Sequence, residues 1–349
     1  MAKISINTIA GLANVSEATV SRAMNNKSDV SYKTRQRICS LAKKVGYEPN
    51  IFARGLRNQS TGTIGLVVNT IVDPYFAELV EDLESQFTEN GFHVMLCTTQ
   101  NKSQQEPDYI KLLRGRGVDG VILIHIASGM NNSQLAYMAE LQRESFPFVV
   151  LGHMEGMGID YVTYDDEIGA YRLFSHLFEK GHRKIAFVYF DSRSADMGIS
   201  GYQKVFSEHG LVVCDDYLAR VATMNAPSCK EAVRKLLSLR TPPTAIVALN
   251  NFVAINVLQE LTANGIDIPR DIALAQFGDT KFVSLLGHSI TSVSFPTCDM
   301  AKVCTQMILD KISGIKKGNP SHAILMPELI IRESTSRNIS PADEQANLV

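Results

Sequence analysis

From Ile64 onward, the sequence alternates short apolar runs with amphipathic segments. The apolar runs have the length of buried strands, and the segments between them carry apolar residues at helical spacing. Strands that alternate with helices build parallel sheets covered on both faces, so we predict an α/β body of doubly wound parallel sheets. The predicted strands are Ile64–Val68, His93–Cys97, Gly120–Ile124, Phe148–Leu151, Lys184–Phe190, Ala245–Leu249 and Ala273–Phe277. The predicted helices include Phe76–Asn90, Glu167–Lys180, Ser228–Leu239 and Phe252–Asn264.

The chain has 349 residues, which is long enough for more than one domain. Hydrophobic residues make up 45% and charged residues 20%, a balance that permits a large core and excludes a wholly disordered chain. No apolar run reaches the roughly 18 residues of a membrane span. The N-terminus lacks the apolar stretch of a signal peptide, so we expect a cytoplasmic protein.

The sequence offers no motif for a metal, a phosphate or a nucleophile. Its six cysteines are spread along the chain without C-x-x-C spacing, which favours reduced thiols over a disulfide or zinc framework. The body has no glycine-rich phosphate loop between a strand and a helix and no H-x-x-x-H pattern. We therefore expect no cofactor, no metal and no catalytic residue, and a binding protein rather than an enzyme.

The net charge of −2 hides a division of the chain into two parts. Residues 1–62 hold ten basic and three acidic residues, a net charge of +7, whereas the remaining residues hold 24 basic and 33 acidic residues, a net charge of −9. A compact basic segment on an acidic body indicates that only this segment, the head, meets a polyanion. A solvated charged surface is the alternative interpretation.

The head shows three short helical patterns. Ile6, Ile9, Ala10 and Ala13 share one helical face, and Asn14 stands where the chain must turn. A second helix is predicted over Glu17–Met24 with Ser16 as its cap, and a third from Ser31 to a stop at Gly46. Two short helices joined by a tight turn and braced by a third are typical of a helix-turn-helix domain, although a helical bundle without a nucleic-acid role has the same pattern.

In a helix-turn-helix domain, the second helix enters the major groove of DNA. Val20 and Ala23 are expected to pack inward, which leaves a polar outer face. There Arg22 can donate two hydrogen bonds to guanine, and Glu17 can accept one from cytosine. Threonine hydroxyls suit phosphates. The predicted DNA-binding residues of this region are Ser16, Glu17, Ala18, Thr19, Ser21, Arg22, Asn25, Lys33 and Thr34.

The head contains three specific motifs: I-A-x-x-A-x-V-S-x-x-T-V-S-R from Ile9 to Arg22, V-S-x-x-T-R from Val30 to Arg35, and G-Y-x-P-N-x-x-A-R-x-L from Gly46 to Leu56. Together they resemble the head of the lactose/galactose-repressor (LacI/GalR) family of bacterial transcriptional regulators. The resemblance implies a sequence-specific regulator, most simply a repressor, that binds double-stranded DNA as a homodimer. It also implies a hinge helix that orders on DNA, with Ala53 and Leu56 in the minor groove and Leu56 opening a base step.

The body resembles the periplasmic-binding-protein-like effector domain of the same family. The matching segments are Ile64–Val67, Asp73–Leu79, Val118–Ile122, Gly181–Ala186 and Ile268–Leu274. The resemblance implies a helix-turn-helix domain over 1–48, a hinge and linker over 49–62, a two-lobed body over 63–338 and a flexible tail over 339–349. It also implies that each lobe of the body is made of two segments of the chain. One lobe takes residues of about 63–162 and 294–321, and the other takes residues of about 163–293 and 322–338. The tail carries no heptad repeat, which favours a dimer over a tetramer.

The resemblance also implies a small-molecule effector, a sugar or sugar derivative, between the lobes. The positions that match effector-binding residues are Tyr75, Phe76 and Asn250, although Phe76 fits a core position equally well. The family's R-x-x-G-[FY] motif has Gly198 in place of its arginine, so Arg193 is the nearest substitute. The family's G-[FY]-D motif is shifted here, so that its carboxylate falls at Asp279. These departures leave the identity of the effector open. They also leave open the alternative that the pocket binds no ligand.

The sequence is compatible with three classes of function, which it supports unequally. The basic head and its motifs favour an allosteric DNA-binding regulator. The body alone also fits a soluble ligand-binding protein that serves transport, but the head and the missing signal peptide oppose that class. An enzyme on a doubly wound sheet is compatible with the fold but has no supporting motif.

Overall fold

The structure is a computed structural model that describes residues 5–24, 29–47, 60–125, 132–222, 226–281, 289–315 and 320–338. The chain divides into two compact units, residues 1–62 and residues 63–349. Each unit has its own core and is described by itself.

The head contains three helices, α1 (Ile6–Ala13), α2 (Glu17–Met24) and α3 (Tyr32–Val45). The Ser5 hydroxyl accepts a hydrogen bond from the Thr8 backbone N–H, and Asn14 ends α1 in the left-handed conformation with φ of 50°. The predicted helices and their caps are confirmed. The core of the head is formed by small and branched side chains, namely Ile9, Ala10, Ala13, Val20, Ala23, Val30, Ile38 and Ala42.

The body alternates strands and helices, as the sequence predicts. Its strands are β1 (Thr63–Val68), β2 (His93–Thr98), β3 (Gly120–Ile124), β4 (Phe148–Leu151), β5 (Tyr161–Tyr164), β6 (Ile185–Tyr189), β7 (Leu218–Arg220), β8 (Ala245–Ala248), β9 (Ala273–Phe277), β10 (Thr291–Ser294), β11 (His322–Leu325) and β12 (Glu328–Ile330). Its α-helices are α4 (Pro74–Glu89), α5 (Glu106–Gly115), α6 (Asn132–Arg143), α7 (Asp166–Glu179), α8 (Arg193–Glu208), α9 (Ala226–Leu237), α10 (Asn251–Ala263) and α11 (Thr297–Ile312).

The twelve strands form two sheets of six. The first has the order β11–β5–β4–β3–β1–β2, and all of its strand pairs are parallel. The second has the order β12–β10–β9–β8–β6–β7, in which only the β10–β12 pair is antiparallel. Each sheet has separate apolar clusters on its two faces. The predicted doubly wound α/β architecture is therefore confirmed.

Helix α4 shows how the sequence specifies one of the covering helices. The Asp73 carboxylate accepts a hydrogen bond from the Tyr75 backbone N–H at 3.0 Å, and Pro74 occupies the first helical position, where no backbone N–H is needed. Its buried residues recur every three to four positions and pack onto the first sheet. They are Phe76, Leu79, Leu83 and Phe87.

The chain passes between the sheets three times: after β5, after β10 and between β11 and β12. The strands before these passages end at Tyr164, Ser294 and Leu325. The lobe boundaries expected at about 162, 293 and 321 therefore lie one to four residues before the ends of these strands. The largest difference concerns β11, which pairs in parallel with β5 and so belongs to the first sheet, not to the second lobe. Its position is decided by this pairing, for which a four-residue, half-exposed strand gives no sequence signal.

None of the six cysteines, all of which are described, is in a disulfide. Within the described ranges, no helix is long and apolar enough to cross a membrane. The same residues contain no group of three or more metal-binding side chains.

Candidate functional site

Helix α2 buries one face and exposes the other. Val20 and Ala23 lie in the core of the head, whereas Glu17, Ala18 and Arg22 are exposed. Thr19 and Ser21 are half-buried at the boundary between the two faces. The exposed face has donors, acceptors and a small apolar side chain, the groups that read base edges.

Two serine caps fix the starts of α2 and α3. The Ser16 hydroxyl accepts from the Thr19 backbone N–H at 3.2 Å, and the Ser31 hydroxyl accepts from the Thr34 backbone N–H at 3.3 Å. Each serine hydroxyl also contacts its threonine hydroxyl at 2.9 Å. The threonine hydroxyls therefore already take part in the caps, which orients them at the helix starts.

The charged residues predicted to meet DNA are exposed. Lys33 lies in the first turn of α3, and Arg22 is within 3.4 Å of Asp29 in a pair that is more than half exposed on both sides. Such a pair is weak, so it leaves the guanidinium available to another partner. Asn25, Ala53 and Leu56, with the predicted hinge, lie outside the described residues.

The body has a cavity of about 730 Å³ between its two lobes, here called the cleft. It is lined by residues that follow β1, β6 and β8 and by the end of β9, so the carboxyl ends of both sheets contribute. This is the position at which open α/β sheets bind ligands, and the volume suits a small molecule. Seven aromatic residues line it: Tyr75, Phe76, Tyr164, Phe190, Phe252, Phe277 and Phe295.

Three of the five predicted effector residues line the cleft, namely Tyr75, Phe76 and Asn250. Phe76 is also only 5% exposed and belongs to the core beneath the first sheet, so the core position that its sequence context allowed is the one it occupies. Asn250 caps α10, because its side-chain oxygen accepts from the Val253 backbone N–H at 3.0 Å. The Tyr75 ring packs edge-on against Phe295 at 5.6 Å.

The other two predicted residues do not line the cleft. Asp279 forms two hydrogen bonds with Arg332, at 2.6 and 2.8 Å, so its carboxylate is already neutralised within the second lobe. Arg193 lies at the start of α8 and lines a smaller pocket beside the cleft. Any side chain at position 198 would require the Phe187 ring to move, because a Cβ atom on Gly198 would be 2.9 Å from that ring.

The smaller pocket, here called the inner pocket, contains residues that the sequence reasoning missed. His125 and Asp166 line it with Arg193, and Asp166 also lines the cleft. His125 directly follows β3, so the rule that sites gather at the carboxyl ends of strands could have identified it. Asp166 begins the helix after the first crossing between lobes, a place that the periodicity of the sequence does not mark.

Burial raises the pKa of the Asp166 carboxyl to about 6, although a hydrogen bond from Ser194 and the charge of Arg193 oppose the increase. Burial likewise raises the pKa of Asp73 at the cleft. Carboxyl groups that are held in such unfavourable surroundings are common at binding sites.

The raised pKa of Asp166 predicts how its replacement changes stability with pH. Between the ordinary value of 3.8 and about 6, the native state keeps a proton that the unfolded chain has lost, so the unfolding free energy of the parent falls as pH rises. Asn cannot ionise, so its unfolding free energy has no such dependence on pH. The unfolding free energy of Asp166→Asn relative to that of the parent should therefore rise by about 2 kcal/mol across this window, after allowance for partial solvent contact. Urea unfolding from about pH 4 to about pH 7 measures this difference, and a difference independent of pH would contradict the prediction.

Comparison with known proteins identifies both units. The family model described as bacterial regulatory proteins, lacI family, matches residues 5–50, and that of the periplasmic binding protein-like domain matches residues 174–335. The HTH-type transcriptional regulator DegA of Bacillus subtilis is 30% identical over 338 residues, which cover 96% of this chain and 98% of DegA.

Two solved structures extend the likeness over nearly the whole chain. The transcriptional regulator CelR in its complex with cellobiose is 27% identical with a TM-score of 0.68, over 95% of this chain and 99% of CelR. The lac repressor dimer bound to operator and the anti-inducer ONPF has a TM-score of 0.83 and the same fold, at 21% identity over 95% and 99% of the two chains. Regulators of this kind are not enzymes. The chain belongs to the lacI family of bacterial DNA-binding transcriptional regulators.

Proposed function

We propose that this regulator is a repressor that binds a pseudo-palindromic operator as a dimer and is controlled by a sugar-like effector in the cleft. The observation that carries the proposal is the polar exposed face of α2 in a head of net charge +7. One such helix reads one half-site, so two-fold pairing of chains requires a site with inverted symmetry. A protein with this role acts in the cytoplasm.

A dimer is supported by the edge of the first sheet. Strand β2 is the last strand in that sheet, and it exposes Met95 and Leu96, each 39% accessible. Edge strands with exposed apolar side chains are suited to pairing with a second chain.

We expect a footprint with inverted symmetry and an affinity that falls steeply with salt. Lysines and arginines of the head displace counterions from phosphates, and a protein with about six to ten phosphate contacts loses about 10³- to 10⁵-fold between 50 and 200 mM salt. Nuclease footprinting on genomic fragments, followed by titrations at several salt concentrations, measures both properties. A protected site without inverted symmetry would count against the dimeric repressor.

The effector proposal is supported by the chemistry of the cleft. Aromatic faces suit the apolar face of a sugar ring, and Asn69, Asn101 and Asn250 supply amide groups for hydroxyls. The 27% identical relative CelR binds cellobiose, which is a sugar. Thermal unfolding in the presence of sugars, sugar phosphates and nucleobases tests this part, because a ligand at a hundredfold excess over its Kd stabilises the fold by about 2.7 kcal/mol.

The hinge predicted at Asn50–Leu56 is proposed as the element that switches. A helix of two turns is too short to persist alone, so its folding needs a paired hinge and DNA. Across the cleft, the Lys281 backbone N–H donates to Glu78 Oε1 at 2.8 Å, which joins the second lobe to α4 of the first. A ligand that changes the angle between the lobes would change the spacing of two hinges.

Coupling between effector and operator must be reciprocal. Operator DNA should change the affinity for the effector by the same factor by which effector changes the affinity for operator, commonly about 5- to 150-fold. Leu56→Ala should weaken operator binding, because it removes the side chain proposed to open the central base step. Titrations with and without each partner measure these factors. If both factors equal one, the body does not act as a sensor of that ligand. If Leu56→Ala binds operator as tightly as the parent, the hinge is not part of the mechanism.

A further inference from the structure

The head has few acidic residues, and one of them lies beside α2. Residues 1–62 hold ten basic and three acidic residues, and the acidic ones are Glu17, Asp29 and Glu48. Asp29 Oδ2 lies 3.4 Å from Nη1 of Arg22, the arginine that is predicted to contact guanine. A carboxylate beside a DNA-contacting arginine repels the phosphates of DNA. A contribution to general DNA affinity therefore does not explain Asp29.

The backbone at Asp29 is held by the two residues that follow it. Val30 is 8% exposed and packs in the core of the head, and its carbonyl oxygen accepts a hydrogen bond from Arg35 Nη2 at 3.2 Å. The Ser31 hydroxyl caps α3 by accepting from the Thr34 backbone N–H at 3.3 Å. The Asp29 carboxylate is therefore presented to Arg22 from an anchored part of the chain.

The ion pair does not use up the donors of Arg22. Its length exceeds the about 2.7–2.9 Å of a charge-assisted hydrogen bond, and the Arg22 and Asp29 side chains are 55% and 54% exposed. A guanidinium has five N–H donors, and a bidentate contact with the O6 and N7 atoms of guanine uses two of them. Arg22 can therefore contact guanine and remain beside Asp29 at the same time.

The Asp29 carboxylate changes which acceptors suit Arg22. An arginine without a neighbouring anion binds phosphates, which are present in DNA of any sequence. Beside Asp29 a phosphate is repelled, whereas the O6 and N7 atoms of guanine accept hydrogen bonds without carrying a net charge. The pair also restricts the rotamers of a long side chain, whose ordering on DNA costs entropy. Both effects favour a base edge over the DNA backbone.

We propose that Asp29 is a specificity-determining residue, which directs the Arg22 guanidinium to guanine and lowers the affinity of the head for DNA that lacks the operator sequence. Asp29 acts through Arg22, so it is a positioning residue and not itself a base contact. This inference rests on the proposed reading of an operator by α2.

The ratio of two affinities tests the proposal on the full-length protein. Selection from a library of random DNA duplexes gives a preferred sequence, and titrations then give the Kd of a selected duplex and of a random duplex. Asp29→Asn keeps the size of the side chain and removes its charge. We expect this variant to bind random DNA more tightly and to lower the ratio of selected-duplex to random-DNA affinity by about 3- to 10-fold.

The same substitution in the Arg22→Ala background is the matched control. Removal of a negative charge from the head strengthens the binding of any DNA, whichever residue lies next to it. In the absence of the guanidinium, Asp29→Asn should therefore change both Kd values by the same factor and leave their ratio unchanged. If Asp29→Asn lowers the ratio equally in both backgrounds, Asp29 does not act through Arg22 and the proposal is overturned.

Modified bases provide a second measurement. Replacement of one guanine at a time by 7-deazaguanine in the selected duplex removes the N7 acceptor. The guanine that Arg22 contacts is the one at which the parent loses affinity and Arg22→Ala does not. At this guanine, the loss should be smaller in Asp29→Asn than in the parent, and an equal loss would contradict the proposal.

The outcomes separate this inference from the proposed function. If Arg22→Ala lowers the affinity ratio and Asp29→Asn leaves it unchanged, the role of Asp29 is overturned while the reading of bases by α2 stands. If Arg22→Ala leaves the ratio unchanged, or the selection enriches no sequence, both fail together. Urea unfolding of Asp29→Asn should match that of the parent, because an exposed ion pair contributes little to stability.

Discussion

Gly152→Ala is expected to destabilise the body by about 3–5 kcal/mol, because it combines a steric clash with an unfavourable backbone conformation. Gly152 follows β4 with φ of 150°, and an added Cβ atom would lie 2.0 Å from the carbonyl oxygen of His125. That oxygen belongs to the backbone at the end of β3, so it can move only if the two strands separate. Urea unfolding of the variant and the parent measures the loss.

The matched control is Gly156→Ala. Gly156 also has a positive φ, of 75°, but no atom lies within 4 Å of an added Cβ. Its replacement should cost only the backbone strain of about 1 kcal/mol. Equal losses in the two variants would show that the approach to His125 is not what requires glycine at position 152.

Arg22→Ala is expected to reduce the ratio of operator to random-DNA affinity by about 5- to 150-fold, which corresponds to the loss of one bidentate contact with a base, about 1–3 kcal/mol. Arg22 stands on the exposed face of α2, and its present partner, Asp29, holds it only through an exposed pair at 3.4 Å. Removal of that pair should barely change stability. Titrations of the footprinted operator and of random DNA give the ratio.

Lys33→Ala is the comparison for Arg22→Ala. Lys33 is exposed in the first turn of α3, where it is expected to meet a phosphate. A phosphate contact carries no sequence information, so this variant should weaken binding to both DNAs alike and leave their ratio unchanged. An unchanged ratio in Arg22→Ala would mean that this arginine does not read a base.

The fold was largely predictable because its long elements have strong periodic patterns and clear ends. The predicted strands Gly120–Ile124, Phe148–Leu151 and Ala273–Phe277 are confirmed to the residue. The strands that were not predicted are β5, β7, β10, β11 and β12, which have only three or four residues each, too few to show a clear period. Their positions are set by the pairing of strands that are distant in the chain.

The site was less predictable, since its chemistry depends on contacts between distant segments. Tyr75 and Asn250, which the resemblance implied, line the cleft, since each lies between the end of a strand and the body of the next helix. The pairing of Asp279 with Arg332 joins residues 53 positions apart, and the pairing of Glu106 with His125 needs α5 to lie beside the end of β3. Neither contact has a motif, so the resemblance placed Asp279 at the ligand, and nothing in the sequence marked His125.

The three passages between the sheets have a consequence for how the protein is made. The first lobe needs α11 and β11, which come from residues 297–325, to complete the sheet that begins at Thr63. During synthesis, this lobe stays open until β11 has left the ribosome, whereas the contacts of the head are local and can form early. An interrupted chain that ends near residue 294 would carry a complete DNA-binding head on an unfinished body, and its exposed sheet would make it a substrate for chaperones and proteases.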